Sequence, residues 1–232
     1  MIDYEKQFAL ATAEVGVARV FRLVYGWMTA ALVLSGVAAW YVFTSGLGER
    51  LVQGRGMMIC LVAELLLVIV LSAAIRKLPV FIAFIMFMLY SLLNGVTLSV
   101  IFMAYELASV QRVFFIAAGM FAGLLVYGTV TKGDLTSIGK FCGMALWGLI
   151  IALVVNLFFH SARLDWIVSF AGILVFTGLT MYDAQKIKDL AAQEGALDRA
   201  AVSKIGLMGA LTLYLDFINL FLYILRLLGK KR

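Results

Sequence analysis

Leu211-Thr-Leu-Tyr-Leu-Asp-Phe-Ile-Asn-Leu-Phe-Leu-Tyr-Ile-Leu225 reads as part of a membrane-crossing helix with one carboxylic acid, Asp216, near its middle. An acid at that depth costs roughly 2.5–3.5 kcal/mol on insertion, so a chain that keeps one there has a partner, a cavity or a task for it. The surrounding composition supports the membrane reading. Of 232 residues, 64% are apolar and 14% charged, against about 25% charged in a soluble domain. The mean hydropathy is +1.05. There is one proline, Pro79, and no alternating strand pattern, which argues against a β-barrel. No cleavable signal peptide is expected, because the first twenty residues are mixed in charge and no small-residue cleavage site follows the first apolar run.

Cys60 and Cys142 lie in apolar runs and read as packing thiols. A single histidine, His160, and no clustered cysteines make a zinc site or other resident cofactor unexpected. The net charge of +6 is spread over connections and ends, as membrane topology requires, and does not indicate nucleic-acid binding.

A helix crossing about 30 Å of hydrocarbon needs roughly 20 apolar residues. Seven such spans are predicted, roughly Val20–Phe43, Met57–Ile75, Pro79–Met103, Val113–Val130, Phe141–Phe159, Trp166–Tyr182 and Ile205–Leu228. Residues 1–19 then form a cytoplasmic N-terminal segment and residues 20–232 a single all-α transmembrane domain. The connections are short except Asp183–Lys204, whose Lys186, Lys188, Asp189, Glu194, Asp198 and Arg199 mark it as solvated.

Lys6, Arg19, Arg22, Arg76, Lys77, Lys132, Lys140, Lys186, Lys188, Arg199 and Lys204 fall at the N-terminus or on even-numbered connections, against Arg50, Arg55, Arg112 and Arg163 on the others. That bias places the N-terminus in the cytoplasm. Seven spans then put the C-terminus outside, whereas Lys230, Lys231 and Arg232 favour the inside. Either the last span is re-entrant or the earlier connections dominate. Gly119-x-x-x-Gly123 and Gly139-x-x-x-Gly143 are read as close packing within the bundle, and a monomer is expected. Asn94-Gly95 interrupts the third apolar pattern and suggests a local kink.

Among thirteen acids, Glu64, Asp183 and Asp216 lie inside or at the edge of a span. Thr212, Asp216, Asn219, Tyr223 and Arg226 recur at helical spacing on one stripe of the last span. The stripe is either a seam joining helices or a line for water and ions. The sixth and seventh spans are antiparallel, so Asp183 and Asp216 can face each other. Two carboxylates that close cannot both ionise easily and should titrate as a unit. Asp216 counts about 15 Å into its helix, so contact requires Asp183 to lie below the headgroups or the last span to begin later. Arg76 ends the second span, as a snorkelling residue or as a partner for Asp183. Glu64 is a second acid along a pore or a lone hydrogen-bond donor.

Tyr182-Asp-Ala-Gln-Lys-Ile187, Leu213-Tyr-Leu-Asp-Phe-Ile-Asn-Leu-Phe221 continuing to Leu225-Arg-Leu-Leu-Gly229, and Phe87-Met-Leu-Tyr-Ser91 with Gly95-Val-Thr-Leu-Ser99 resemble the Bax inhibitor-1 family, in its bacterial inner-membrane branch. The resemblance implies seven helices, six surrounding a central C-terminal one. It implies a pH-sensitive calcium leak, with Asp183 and Asp216 as the ion pathway and proton sensor and as transient Ca²⁺ ligands. Arg76 becomes the latch on Asp183, and Glu64, Asn219 and Tyr223 supporting residues. Calcium is cargo, not cofactor.

An alternative role is an interaction protein that modulates a membrane-bound quality-control protease, engaged through Met1–Ala18. Enzymatic activity is not expected. An intramembrane aspartyl protease needs Gly-x-Gly-Asp where Leu213-Tyr-Leu-Asp216 stands, and a later Pro-Ala-Leu that this chain lacks.

Overall fold

In a bilayer every backbone N–H and C=O must be satisfied within the chain, and uninterrupted helices do this most directly. The computed structural model describes residues 2–194 and 199–232, with side chains from 14 to 193 and from 199 onward. Its helices are α1 (Ile2–Thr44), α2 (Leu47–Gln53), α3 (Gly56–Ala74), α4 (Val80–Ala104), α5 (Leu107–Val130), α6 (Thr136–Phe159), α7 (Ala162–Glu194) and α8 (Arg199–Leu228). Among the described residues, seven are long and apolar enough to cross a membrane, all but the short α2. Helix α1 begins at Ile2, so the N-terminal segment runs into the first span without a break. Met1 and the side chains of residues 2–13, most of the Met1–Ala18 segment read as a docking site for a protease partner, lie outside the described residues.

The stretch predicted as a long solvated connection, Asp183–Lys204, is mostly helix. Only residues 195–198, which include Asp198 and lie outside the described residues, separate α7 from α8. Charges there mark where the chain leaves hydrocarbon, but they do not stop a helix. Between Asp183 and Glu194 there is no glycine or proline, and Ala, Gln, Lys, Leu and Glu are good helix formers. Asp183 therefore lies about three turns inside α7, not at its end.

The chain divides into two compact units. The first holds Met1–Ala104 and Ile187–Tyr214. In it α4 packs along α1 and α3, with α2 beside them. Gly95 lies directly on the backbone of Ser35, where a side chain would collide. Helix α4 runs unbroken through Asn94-Gly95, so this pair is a packing contact and not a break in the helix. Gly206 and Gly209 of α8 meet Leu23 and Val24 of α1.

The second unit holds Tyr105–Lys186 and Leu215–Arg232. Gly128 of α5 lies on the Met181 carbonyl of α7, Gly139 on the Tyr182 ring and Gly172 on the Tyr223 ring. Phe217 receives the Phe114 and Phe121 rings edge-on, at centroid distances of 5.6 and 5.3 Å. The predicted glycine pairs are corrected here. Gly119, Gly123 and Gly143 have open space where a Cβ would sit, and of the four only Gly139 makes a close approach. The three lie in apolar stretches but have no packed neighbour at that position, so spacing alone misidentified them.

Asp134 starts α6 by accepting the Thr136 N–H at 2.8 Å, and hydrogen bonds from Thr136 hold its carboxyl below the ordinary range. The chain ends in a clasp. Lys231 forms an antiparallel bridge with Tyr105, and the Glu106 N–H donates to the Lys230 carbonyl at 3.0 Å. Lys230 Nζ stands 2.8 Å from Glu106, and its backbone N–H donates to Ser109 Oγ. Helix α8 is continuous over Arg199–Leu228 and ends beside the α4–α5 connection. The basic tail is partly neutralised there by Glu106, which weakens it as a topological signal.

Candidate functional site

Helix α8 is the most buried of the seven spans. In its most apolar window 72% of residues are buried, against 6–39% in the others. Asp216, 5% exposed, belongs to this helix. Asp183 of α7 is half-buried, and its carboxyl group lies within hydrogen-bonding reach of that of Asp216. A hydrogen bond between two carboxyl groups requires a proton on one of them. Asp216 Oδ2 has no hydrogen-bond partner among the described residues, although it is fully buried. An orphaned buried carboxylate oxygen is costly, and a shared proton or a visiting cation removes that cost. Helix α7 continues past Asp183, so the acid sits well inside its helix and not at its end.

The neighbouring residues hold this pair in place. Gln185, two residues on from Asp183, accepts the Leu135 N–H and donates to the Gly133 carbonyl, both at 2.8 Å. It ties α7 to the α5–α6 connection. Lys186 Nζ lies 5.6 Å from the centre of the Tyr182 ring. The remaining stripe on α8 is less uniform than its spacing implied. Asn219 Nδ2 donates to the Leu215 carbonyl of its own helix at 2.8 Å. Tyr223 packs its ring against Phe176, and Arg226 faces Asp165 at 3.6 Å.

The first unit contains a second polar cluster. Glu64 of α3 accepts hydrogen bonds from Asn94 Nδ2 and, at 2.9 Å, from Thr97 Oγ1. The Asn94 carbonyl oxygen accepts from the Tyr214 hydroxyl at 2.9 Å. That hydroxyl lies 2.7 Å from Ser35 Oγ, which also reaches the Ser91 carbonyl at 2.8 Å. Four helices, α1, α3, α4 and α8, are joined through these side chains. Glu64 is therefore a hydrogen-bonded carboxyl group within this cluster, where sequence alone left its role open. Ser35, Ser91, Thr97 and Tyr214 were not singled out from sequence. Ser91, Asn94 and Thr97 recur every third residue on one face of α4, a signal strong enough to have found them.

Arg76, the predicted latch, lies in the turn after α3, and its carbonyl accepts from Lys204 Nζ at 3.0 Å. Both belong to the first unit, whereas Asp183 and Asp216 belong to the second. Both cysteines are free thiols, Cys142 buried and Cys60 half-buried. No group of three or more His, Cys, Asp or Glu side chains able to hold a metal occurs among the described residues.

A family model described as inhibitor of apoptosis-promoting Bax1 matches residues 17–232. The chain is 43% identical over 234 residues to the inner membrane protein YbhL of Escherichia coli (strain K12), with both chains fully covered. It is 41% identical over 213 residues to a protein of Borreliella burgdorferi, covering 90% of each chain. A Rickettsia prowazekii protein, RP147, is 39% identical over 246 residues, again with full coverage of both.

Proposed function

The chain belongs to the Bax inhibitor-1 family, whose members are non-catalytic membrane proteins, and from that premise we propose that it is a pH-sensitive calcium leak of the bacterial cytoplasmic membrane. The observation that carries this reading is the Asp183–Asp216 pair, two carboxyl groups in hydrogen-bonding reach, with the buried Asp216 Oδ2 left without a hydrogen-bond partner among the described residues. The location follows the name of the Escherichia coli relative, an inner membrane protein. The N-terminus faces the cytoplasm, by the distribution of Lys and Arg. Six spans surround α8, an arrangement supported by the burial of that helix.

In the closed state Asp183 is ionised and pairs with Arg76, while Asp216 holds the shared proton. A second proton, taken up as pH falls, neutralises Asp183 and releases Arg76. The helices that carry these residues then separate, and Ca²⁺, a hard cation that seeks oxygen ligands, passes along the carboxyl and amide oxygens of α8. Asn219 and Tyr223 support that path. Glu64 stands beside it as a fixed polar anchor, and the protein acts as a monomer.

The test is Ca²⁺ flux through purified protein in liposomes across the neutral pH range. Wild-type leak should rise as pH falls. Asp183→Asn should leak at every pH because the latch has no anion, and Asp216→Asn should flatten the profile by removing the shared proton. A wild-type pH profile in both variants would exclude the dyad as the sensor.

A further inference from the structure

Arg76 and Lys204 share a pocket in the first unit, with a volume of about 260 Å³. Its walls are apolar, built from Ile75, Leu190, Ile205 and Met208. Ile75 and Ile205 are each nearly inaccessible to solvent. Among the described residues the lining has two cationic side chains and no acid.

Arg76 and Lys204 are both solvent-exposed, and a hydrogen bond holds Lys204 beside Arg76. The Lys204 ammonium group donates to the Arg76 carbonyl at 3.0 Å, which occupies one of its three protons and leaves two to donate. The Arg76 guanidinium, with five donors, has no hydrogen bond or ion pair among the described residues. Two cations held at one apolar pocket repel each other unless an anion lies between them. The pocket also sits at the end of a span, because α3 stops at Ala74 and Arg76 follows in the turn. That is the headgroup level, on the side where the basic residues of this chain concentrate. Basic pockets between helix ends at that level suit anionic headgroups.

We propose that Arg76 and Lys204 bind the phosphate of an anionic phospholipid, whose acyl chains follow the apolar wall. Where Arg76 also latches Asp183, headgroup and carboxylate compete for one guanidinium, so anionic lipid favours the open leak. That second step rests on the function proposed above, whereas the binding step does not.

Binding is tested on the purified full chain by native mass spectrometry with phosphatidylglycerol, phosphatidylcholine and inorganic phosphate as probes. Phosphatidylglycerol should be retained over phosphatidylcholine by about tenfold, the scale of losing one charge-assisted hydrogen bond. Lys204→Gln should remove most of that preference, while Lys132→Gln, at a basic residue that does not line the pocket, should leave it intact. Equal retention of the two lipids, or a preference unchanged by Lys204→Gln, overturns the site. Inorganic phosphate that displaces phosphatidylglycerol at equal concentration overturns the assignment to lipid.

The competition is read separately, as Ca²⁺ flux at fixed pH in phosphatidylcholine liposomes with rising fractions of phosphatidylglycerol. Wild-type flux should increase and Lys204→Gln should respond less. Lipid binding without any flux response overturns the competition and leaves the site standing. Absence of flux in every liposome strikes at the leak itself.

Discussion

Asn94 donates its amide to Glu64 and accepts the Tyr214 hydroxyl, so replacing it removes one hydrogen bond from each of two other helices and leaves Glu64 with Thr97 and Tyr214 with Ser35 within the cluster. Each polar group left short of a partner in a buried setting costs about 1–3 kcal/mol. Asn94→Ala should therefore lower stability by about 2 kcal/mol or more. Tyr214→Phe should cost about 1 kcal/mol, because Ser35 keeps its carbonyl partner at Ser91. Thermal unfolding in detergent compares the two, and equal losses would mean that Asn94 is not the hub of the cluster. The residue that decided the membrane reading, Asp216, was legible because a carboxylate in a long apolar run has no bland explanation. Serines and threonines in such runs do have one, since each can satisfy itself on its own helix, as Thr180 does on the Phe176 carbonyl. A cluster of them becomes visible only when the helices are placed side by side.

At the scale of elements, glycine marks contact only where another backbone or ring arrives. Gly128 meets the Met181 carbonyl, and Gly119 and Gly123, on the same helix α5, meet nothing. Gly128→Ala should destabilise by about 1–3 kcal/mol through overpacking. Gly119→Ala and Gly123→Ala should be neutral or stabilising by about 0.5–1 kcal/mol through helix propensity. Denaturation of the three single variants measures the contrast, and a Gly119→Ala loss as large as that of Gly128→Ala would contradict the packing. Span positions were legible because hydropathy and length suffice for them. The continuation of α7 past Asp183 was not, because a rise in charge marks both the end of hydrocarbon and an exposed helix. Capping residues, not polarity, separate those two cases.

For the whole molecule, seven crossings put the N-terminus and the end of α8 on opposite sides. With Cys60 and Cys142 replaced by alanine, single cysteines report the arrangement through a membrane-impermeant maleimide applied to spheroplasts. Arg163→Cys and Arg232→Cys should label from outside, and Lys132→Cys only after permeabilisation. Labelling of Lys132→Cys in intact spheroplasts would invert the topology and, with it, the side of the membrane assigned to Arg76. The charge count alone left the C-terminus contested. Once Lys230 is seen against Glu106, its vote for the cytoplasm loses weight.

The clasp at the chain end also bears on how the protein can be handled. Lys231 is bridged to Tyr105, so any tag fused just after it leaves from a segment already engaged. A bulky fluorescent reporter fused there would pull on the α4–α5 connection and on Glu106. A protein tagged there would report on a slackened version of the molecule.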